Sequence, residues 1–151
     1  MAKFRYSMEN ILRIKERLEE QKRMDLGQAM VVFQSQQNIQ RAIEHKQEKY
    51  LEEFYNNQNM ITNGASLQTM SQQLSYYEKM LKQQKIVVEK AGEQVEIKRE
   101  ALKKALEERK IQEKLKENAF ERYVEEEKLK EQQMLDEVVG YRYATEDDQT
   151  M

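Results

Sequence analysis

The side chains able to do chemistry in this chain are few in kind and scattered in place. There is one histidine, His45, and no cysteine, so neither a His/Cys nucleophile pair nor a two-histidine metal site can be assembled. Carboxylates occur as neighbours in Glu19-Glu20, Glu52-Glu53 and Glu107-Glu108. As acid/base partners they would need a cleft to drive their pKa values apart. Glu125-Glu126-Glu127 is a candidate for a cation, yet adjacent positions on a helix point about 100° apart and do not converge. The four glycines stand singly, with no loop that could cradle a phosphate. Basic pairs such as Lys98-Arg99, Lys103-Lys104 and Arg109-Lys110 alternate with Glu and form no stripe that could track a nucleic-acid backbone. These groups read as solvated helix faces, which predicts no catalytic residue, no bound cofactor and no metal. The tyrosines are the better lead. Tyr50, Tyr55, Tyr76 and Tyr77 crowd around one stretch of sequence, Tyr55 and Tyr76 cannot both face a core with the other two, and an exposed Tyr is a common anchor of protein interfaces.

The elements that position these residues follow from spacing. From Leu67 to Ala105 a seam recurs in steps of three and four: Leu67, Met70, Leu74, Tyr77, Leu81, Gln84, Val88, Ala91, Val95, Lys98, Leu102 and Ala105. An average of 3.5 residues makes a narrow stripe on a helix, too thin for a globular core and suited to gripping a second helix. Composition agrees: 151 residues, no Pro, no Trp, 36% charged, 38% hydrophobic and a net charge of −2. That balance fits long polar helices and gives no electrostatic pull toward nucleic acid. The absence of Cys removes any disulfide framework and leans toward a reducing compartment. The longest apolar run, Ala29 to Phe33, is five residues, against the roughly 20 that span a bilayer. The opening Met-Ala-Lys-Phe-Arg-Tyr has no apolar core of a signal peptide. A cytoplasmic, soluble chain is the expectation.

A first helix is expected over about 7–58, with Ser7 as its N-cap, Glu9 favouring the dipole, and apolar residues at Phe4, Met8, Ile11, Ile14, Leu18, Leu26, Ala29, Val32, Ile39, Ile43, Tyr50 and Phe54. The low-propensity stretch 59–66 holds Asn63-Gly64, a strong turn signal, and reads as the bend. A second helix is expected over about 67–139, stopped by Gly140, with 141–151 as a disordered acidic tail. Folding at Gly64 pairs residues whose numbers sum to about 128: Phe54 with Leu74, Tyr50 with Tyr77, Ile39 with Val88, Val32 with Val95, Leu18 with Ile111, Ile14 with Leu115, and Met8 with Phe120. The fold class predicted is all-α, a long antiparallel coiled-coil hairpin forming a single domain over 1–140. Its second helix outlasts the first and leaves Leu129, Met134, Leu135, Val138 and Val139 without a partner, a docking strip for another protein.

The opening Phe4-Arg5-Tyr6-Ser7-Met8-Glu9-Asn10-Ile11-Leu12-Arg13-Ile14-Lys15, and the Gln-rich aromatic segment Ser71-Gln72-Gln73-Leu74-Ser75-Tyr76-Tyr77-Glu78-Lys79-Met80-Leu81 beyond the bend, resemble the flagellar export protein FliJ family over essentially the whole chain. The resemblance implies a soluble stalk of the flagellar type III export apparatus, similar in shape to the coiled-coil γ stalk of rotary ATP synthases. One end would enter the export ATPase ring, through Phe4, Met8, Ile11, Leu129, Met134 and Val138. The bend end would meet the cytoplasmic domain of the export-gate membrane protein, through Ile43, Tyr50, Leu74, Tyr76, Tyr77 and Met80. Lys46 and Gln73 stand where that family pattern has an aromatic. Export chaperones are a further implied partner class; nucleic acid and direct membrane insertion are not. The implied location is the cytoplasm, at the inner face of the membrane under the flagellum. The other reading of the same rod is a general scaffold coiled coil or an injectisome stalk unrelated to motility.

Overall fold

The computed structural model describes residues 3–56 and 64–149, the side chains of 148 and 149 excepted. Two helices account for nearly all of it: α1, Glu9–Asn56, and α2, Gly64–Gln149. No strand occurs among the described residues, and the architecture is an all-α helical hairpin. Of the expected bend at 59–66, residues 59–63 lie outside the described residues, and Gly64 is already the first residue of α2.

The start of α1 is shifted by one position from the Ser7 cap. Met8 C=O accepts the Leu12 N–H at 3.1 Å and so occupies the N-cap position, while Tyr6 C=O accepts the Glu9 N–H at 3.2 Å. Glu9 sits in the first turn as expected. At its far end α2 does not stop at Val139. It continues through Gly140 to Gln149, where a disordered segment was expected. One glycine costs a helix about 1 kcal/mol, and the residues beyond Gly140 sustain the helix. There the Thr145 hydroxyl donates to Tyr141 C=O at 2.7 Å and to Arg142 C=O at 3.2 Å.

The helices pair in two units, residues 1–18 with 105–151, and residues 19–104. In the second unit the seam of α2 is the one its spacing predicts. Met70, Leu74, Tyr77, Leu81, Gln84, Val88, Ala91, Val95, Lys98 and Leu102 are buried or half-buried, and Leu67 alone of the expected positions is exposed. The seam of α1 is different. Its seam runs through Glu19, Lys22, Leu26, Ala29, Phe33, Gln36, Gln40, Ile43, Gln47, Tyr50 and Phe54, an unbroken alternation of three and four, with Asp25, Gln37, Glu44 and Leu51 half-buried beside it. The expected seam residues Val32 and Ile39 lie one position earlier, about 100° around the helix, and are 53% and 43% exposed. A helix pair must keep one phase, and Leu26, Phe33, Ile43, Tyr50 and Phe54 together fix it. Polar side chains fill the gaps. Gln84 donates its amide to both Gln36 C=O and Gln36 Oε1 at 2.9 Å. Glu19 is only 7% exposed and accepts from Arg23 at 3.1 Å. The pairing of Tyr50 with Tyr77 is as expected, ring centroids 6.0 Å apart.

In the first unit Leu12 and Ala105 are buried and Lys15 is half-buried, while Ile11, Ile14 and Leu18 are exposed. The expected pairs Leu18–Ile111 and Ile14–Leu115 are therefore not the seam, since all four residues face solvent. Two ion pairs bridge the helices beside the buried Leu12 and Ala105: Lys15 Nζ to Glu108 Oε2 at 3.0 Å, and Lys116 Nζ to Glu9 Oε2 at 2.9 Å. Phe120 is met by Phe4, not Met8, at 5.2 Å edge-on, and Tyr123 completes that aromatic cluster at 5.3 Å from Phe4. The aromatic contact anchors the segment before α1 to α2, which explains why the helix can begin without the Ser7 cap.

Candidate docking surfaces

Three surfaces stand out, and each lies within one unit. The first is aromatic and belongs to residues 19–104. Tyr50 and Tyr77 share the seam, Tyr76 stacks edge-on against Tyr77 at 5.9 Å, and Tyr55 does the same against Phe54 at 6.3 Å. Tyr55 and Tyr76 are both exposed, so each ring presents a face braced by a partly covered neighbour. A braced ring loses little freedom on binding, which is what makes aromatic residues efficient anchors. Of the residues expected to contact a partner here, Ile43 is buried, Tyr50, Leu74, Tyr77 and Met80 are half-buried, and Tyr76 is open.

The second surface belongs to residues 1–18 with 105–151. From Lys128 to Asp147 every residue of α2 is exposed, and among them Leu129, Met134, Leu135, Val138, Val139, Tyr141 and Tyr143 are large and apolar. An apolar stretch of this length standing in water is a mark of a protein contact. Met8 and Ile11 in the same unit are also exposed, whereas Phe4 is half-buried in the aromatic cluster. Beside it, Phe4, Leu12, Glu16, Glu113, Lys116, Glu117 and Phe120 enclose a groove of about 440 Å³.

The third surface was missed by reading hydropathy along the chain. In residues 19–104, the positions that directly precede a seam residue lie on one flank. A groove of about 340 Å³ shows this, because Asp25, Gln28 and Val32 of α1 and Gln94 of α2 line it together over Ala29 and Ala91. From Gln21 to Ala42 and from Met80 to Ala101 the only charged residues at such positions are Asp25 and Lys90. Positions that directly follow a seam residue carry Arg23, Arg41, Glu44, Lys82, Lys85, Glu89, Glu96, Arg99 and Lys103 over the matching stretch. Loss of charge is the compositional sign of a surface that becomes covered. The signal was present in the sequence as Val32 and Ile39, one step out of phase with Phe33 and Gln40.

His45 is exposed on α1, and the paired glutamates lie along helix faces, with Glu19 covered in the seam. Among the described residues no cluster of His, Cys, Asp and Glu is grouped to hold a metal ion, and no helix is long and apolar enough to cross a membrane. Compared with known proteins, the chain matches a family model described as flagellar FliJ protein over residues 4–147. No curated protein and no solved structure matches it.

Proposed function

The chain belongs to the flagellar FliJ family, which makes it a component of the flagellar protein export apparatus, and on that premise we propose that it is the stalk that joins the export ATPase to the export gate. The unit built from residues 1–18 and 105–151 enters the ATPase ring. The aromatic surface of residues 19–104 meets the cytoplasmic domain of the gate membrane protein. The chain works in the cytoplasm, at the inner face of the membrane beneath the flagellum, and supplies no chemistry of its own.

The observation that supports this reading best is the run of exposed apolar residues from Leu129 to Tyr143. A helix that only had to hold its neighbour would carry polar residues there. Instead Met134, Val138 and Tyr141 repeat at three and four and offer a second helical stripe to an outside partner. Tyr55 and Tyr76 give the other unit its own contact.

Two variants of the full chain separate the two contacts. Met134→Glu with Val138→Glu is expected to abolish co-sedimentation with the purified export ATPase and any effect on ATP hydrolysis, with gate binding retained. Tyr76→Ala is expected to weaken binding to the isolated gate domain about tenfold or more and to leave helical circular dichroism and ATPase binding intact. A wild-type chain that neither sediments with the ATPase nor alters its turnover would refute the stalk.

A further inference from the structure

The charge-poor flank of residues 19–104 has a pattern that names its own partner. Along α1 from Gln21 to Gln47, residues seven apart on this flank are Asp25, Val32, Ile39 and Lys46, with Glu53 next beyond that stretch. Read in either direction the order is charge, apolar, apolar, charge, and the two charges have opposite sign. The midpoint of the pattern falls between Ser35 and Gln36, so Ser35 is the flank position nearest to it. Val32, Ser35, Ile39, Ala42 and Lys46 are exposed, and Asp25 is half-buried at the edge of the groove over Ala29 and Ala91.

From this palindrome we infer that the flank is a self-association surface, on which a second copy of the chain docks antiparallel through a two-fold axis that passes beside Ser35. The half-turn sets Val32 on Ile39 of the second copy and Ile39 on its Val32. Asp25 meets the second copy's Lys46, and Lys46 its Asp25. A closed two-fold contact requires this reciprocity, residue i touching j while j touches i. The small Ser35 lets the two α1 helices approach at the axis. Val87 and Ile97, both exposed on the same flank of α2, extend the apolar contact. Lys90 stands on the flank with its long stem, which can lie along apolar surface while the ammonium turns to water. The opposite side of the pair, with its nine charges, stays in solvent.

The flank offers fewer positions than the roughly 20–30 residues a side of a standard stable interface. The complex is therefore a monomer–dimer equilibrium in the micromolar range rather than an obligate dimer. It depends on no export protein, so its failure and the failure of the stalk assignment are distinguishable.

Sedimentation velocity on the full chain from about 1 µM to about 1 mM reads the equilibrium directly. Wild type is expected to pass from monomer to dimer across that range. Ile39→Glu is expected to weaken association at least about tenfold, with helical circular dichroism unchanged because residue 39 is off the seam. Asp25→Lys and Lys46→Asp each weaken it several-fold, and the two together restore it, because the swapped pair forms again between copies. Ser35→Cys, in a chain with no other cysteine, is expected to give a disulfide-linked pair on oxidation. Met30→Cys, directly after a seam residue and so on the charged side, is not. A chain that stays monomeric throughout overturns the inference. So does a dimer indifferent to Ile39→Glu, a double charge swap that does not recover, or a Met30→Cys chain that cross-links as efficiently as the Ser35→Cys chain.

Discussion

Two glycines inside the helices of residues 19–104 give a controlled test of how tightly the seam is packed. Gly27 and Gly92 both lie mid-helix and both directly follow a seam residue. A Cβ added at Gly27 meets nothing within 4 Å, whereas one added at Gly92 stands 3.1 Å from Phe33 Cε2 and 3.7 Å from Cδ2 and Cζ. Alanine for an interior helical glycine is worth about 1 kcal/mol from backbone entropy alone. Gly27→Ala therefore raises stability by about 1 kcal/mol, or about 2–4 °C in Tm for a chain of this size. Gly92→Ala begins with the same gain but must push the Phe33 ring off its bed. Overpacking costs about 1–3 kcal/mol, so the net change runs from about zero to a loss of about 2 kcal/mol. The two variants thus separate by about 1–3 kcal/mol in urea unfolding followed by helical circular dichroism. Phe33→Leu supplies the second arm of the cycle. With the ring gone, Gly92→Ala should recover most of its backbone gain, a coupling of about 1 kcal/mol or more. Equal shifts at the two glycines, or no coupling to Phe33, would refute the packing of α2 backbone against that ring.

Glu19 is a carboxylate at a seam position, and Arg23, from which it accepts, is largely in solvent. Replacing it by Leu trades a desolvated charge for apolar burial and is expected to stabilise the chain by about 1–3 kcal/mol in the same unfolding assay. Leu81→Asp, in the half-buried seam of α2, places an unpaired charge against the partner helix. It is expected to cost about 3 kcal/mol or more and to lower helical circular dichroism. The double change Gln36→Leu with Gln84→Leu removes the amide pair across the seam. It should raise Tm while broadening the distribution of cross-helix disulfides formed by paired cysteine probes, the mark of a register no longer unique.

The legible part of the fold was α2. Its seam is apolar at most steps, so the repeat from Met70 to Ala105 could be read directly, and the structure covers those positions. The seam of α1 was hidden because Lys15, Glu19, Lys22, Gln36, Gln40 and Gln47 occupy it while Ile14, Val32 and Ile39 stand outside. Hydropathy alone favours the wrong track by one residue. Long side chains undo that inference, since their stems can cover a seam while their polar ends reach solvent or each other. The exposure of Tyr55 and Tyr76 was legible because neither fits the seam that Tyr50 and Tyr77 share, and that of the strip from Leu129 to Val139 because the second helix is the longer one. The charge-poor flank was not, since it becomes visible only once the phase of α1 is known. The helix beyond Gly140 was misjudged from a single glycine, a weak stop without a left-handed residue to turn the chain. Among the described residues no glycine has a positive φ.

The division between the two seams has a mechanical consequence. An apolar seam adheres in several registers, because a slip of seven residues replaces one apolar side chain by another. The polar seam of α1 discriminates. Slipping it by seven would carry Gln36 from Gln84 to Ala91 or Tyr77, neither of which offers a side-chain amide. In the other unit the same slip would carry Lys15 from Glu108 to Leu115 or Ala101. Each error leaves a polar group facing apolar surface, at about 1–3 kcal/mol apiece. In residues 19–104, then, α2 supplies most of the adhesion and α1 fixes the height at which it acts. A two-helix element that must pass force or position between partners needs the second property as much as the first. A hairpin free to slide by a heptad would absorb a displacement instead of transmitting it.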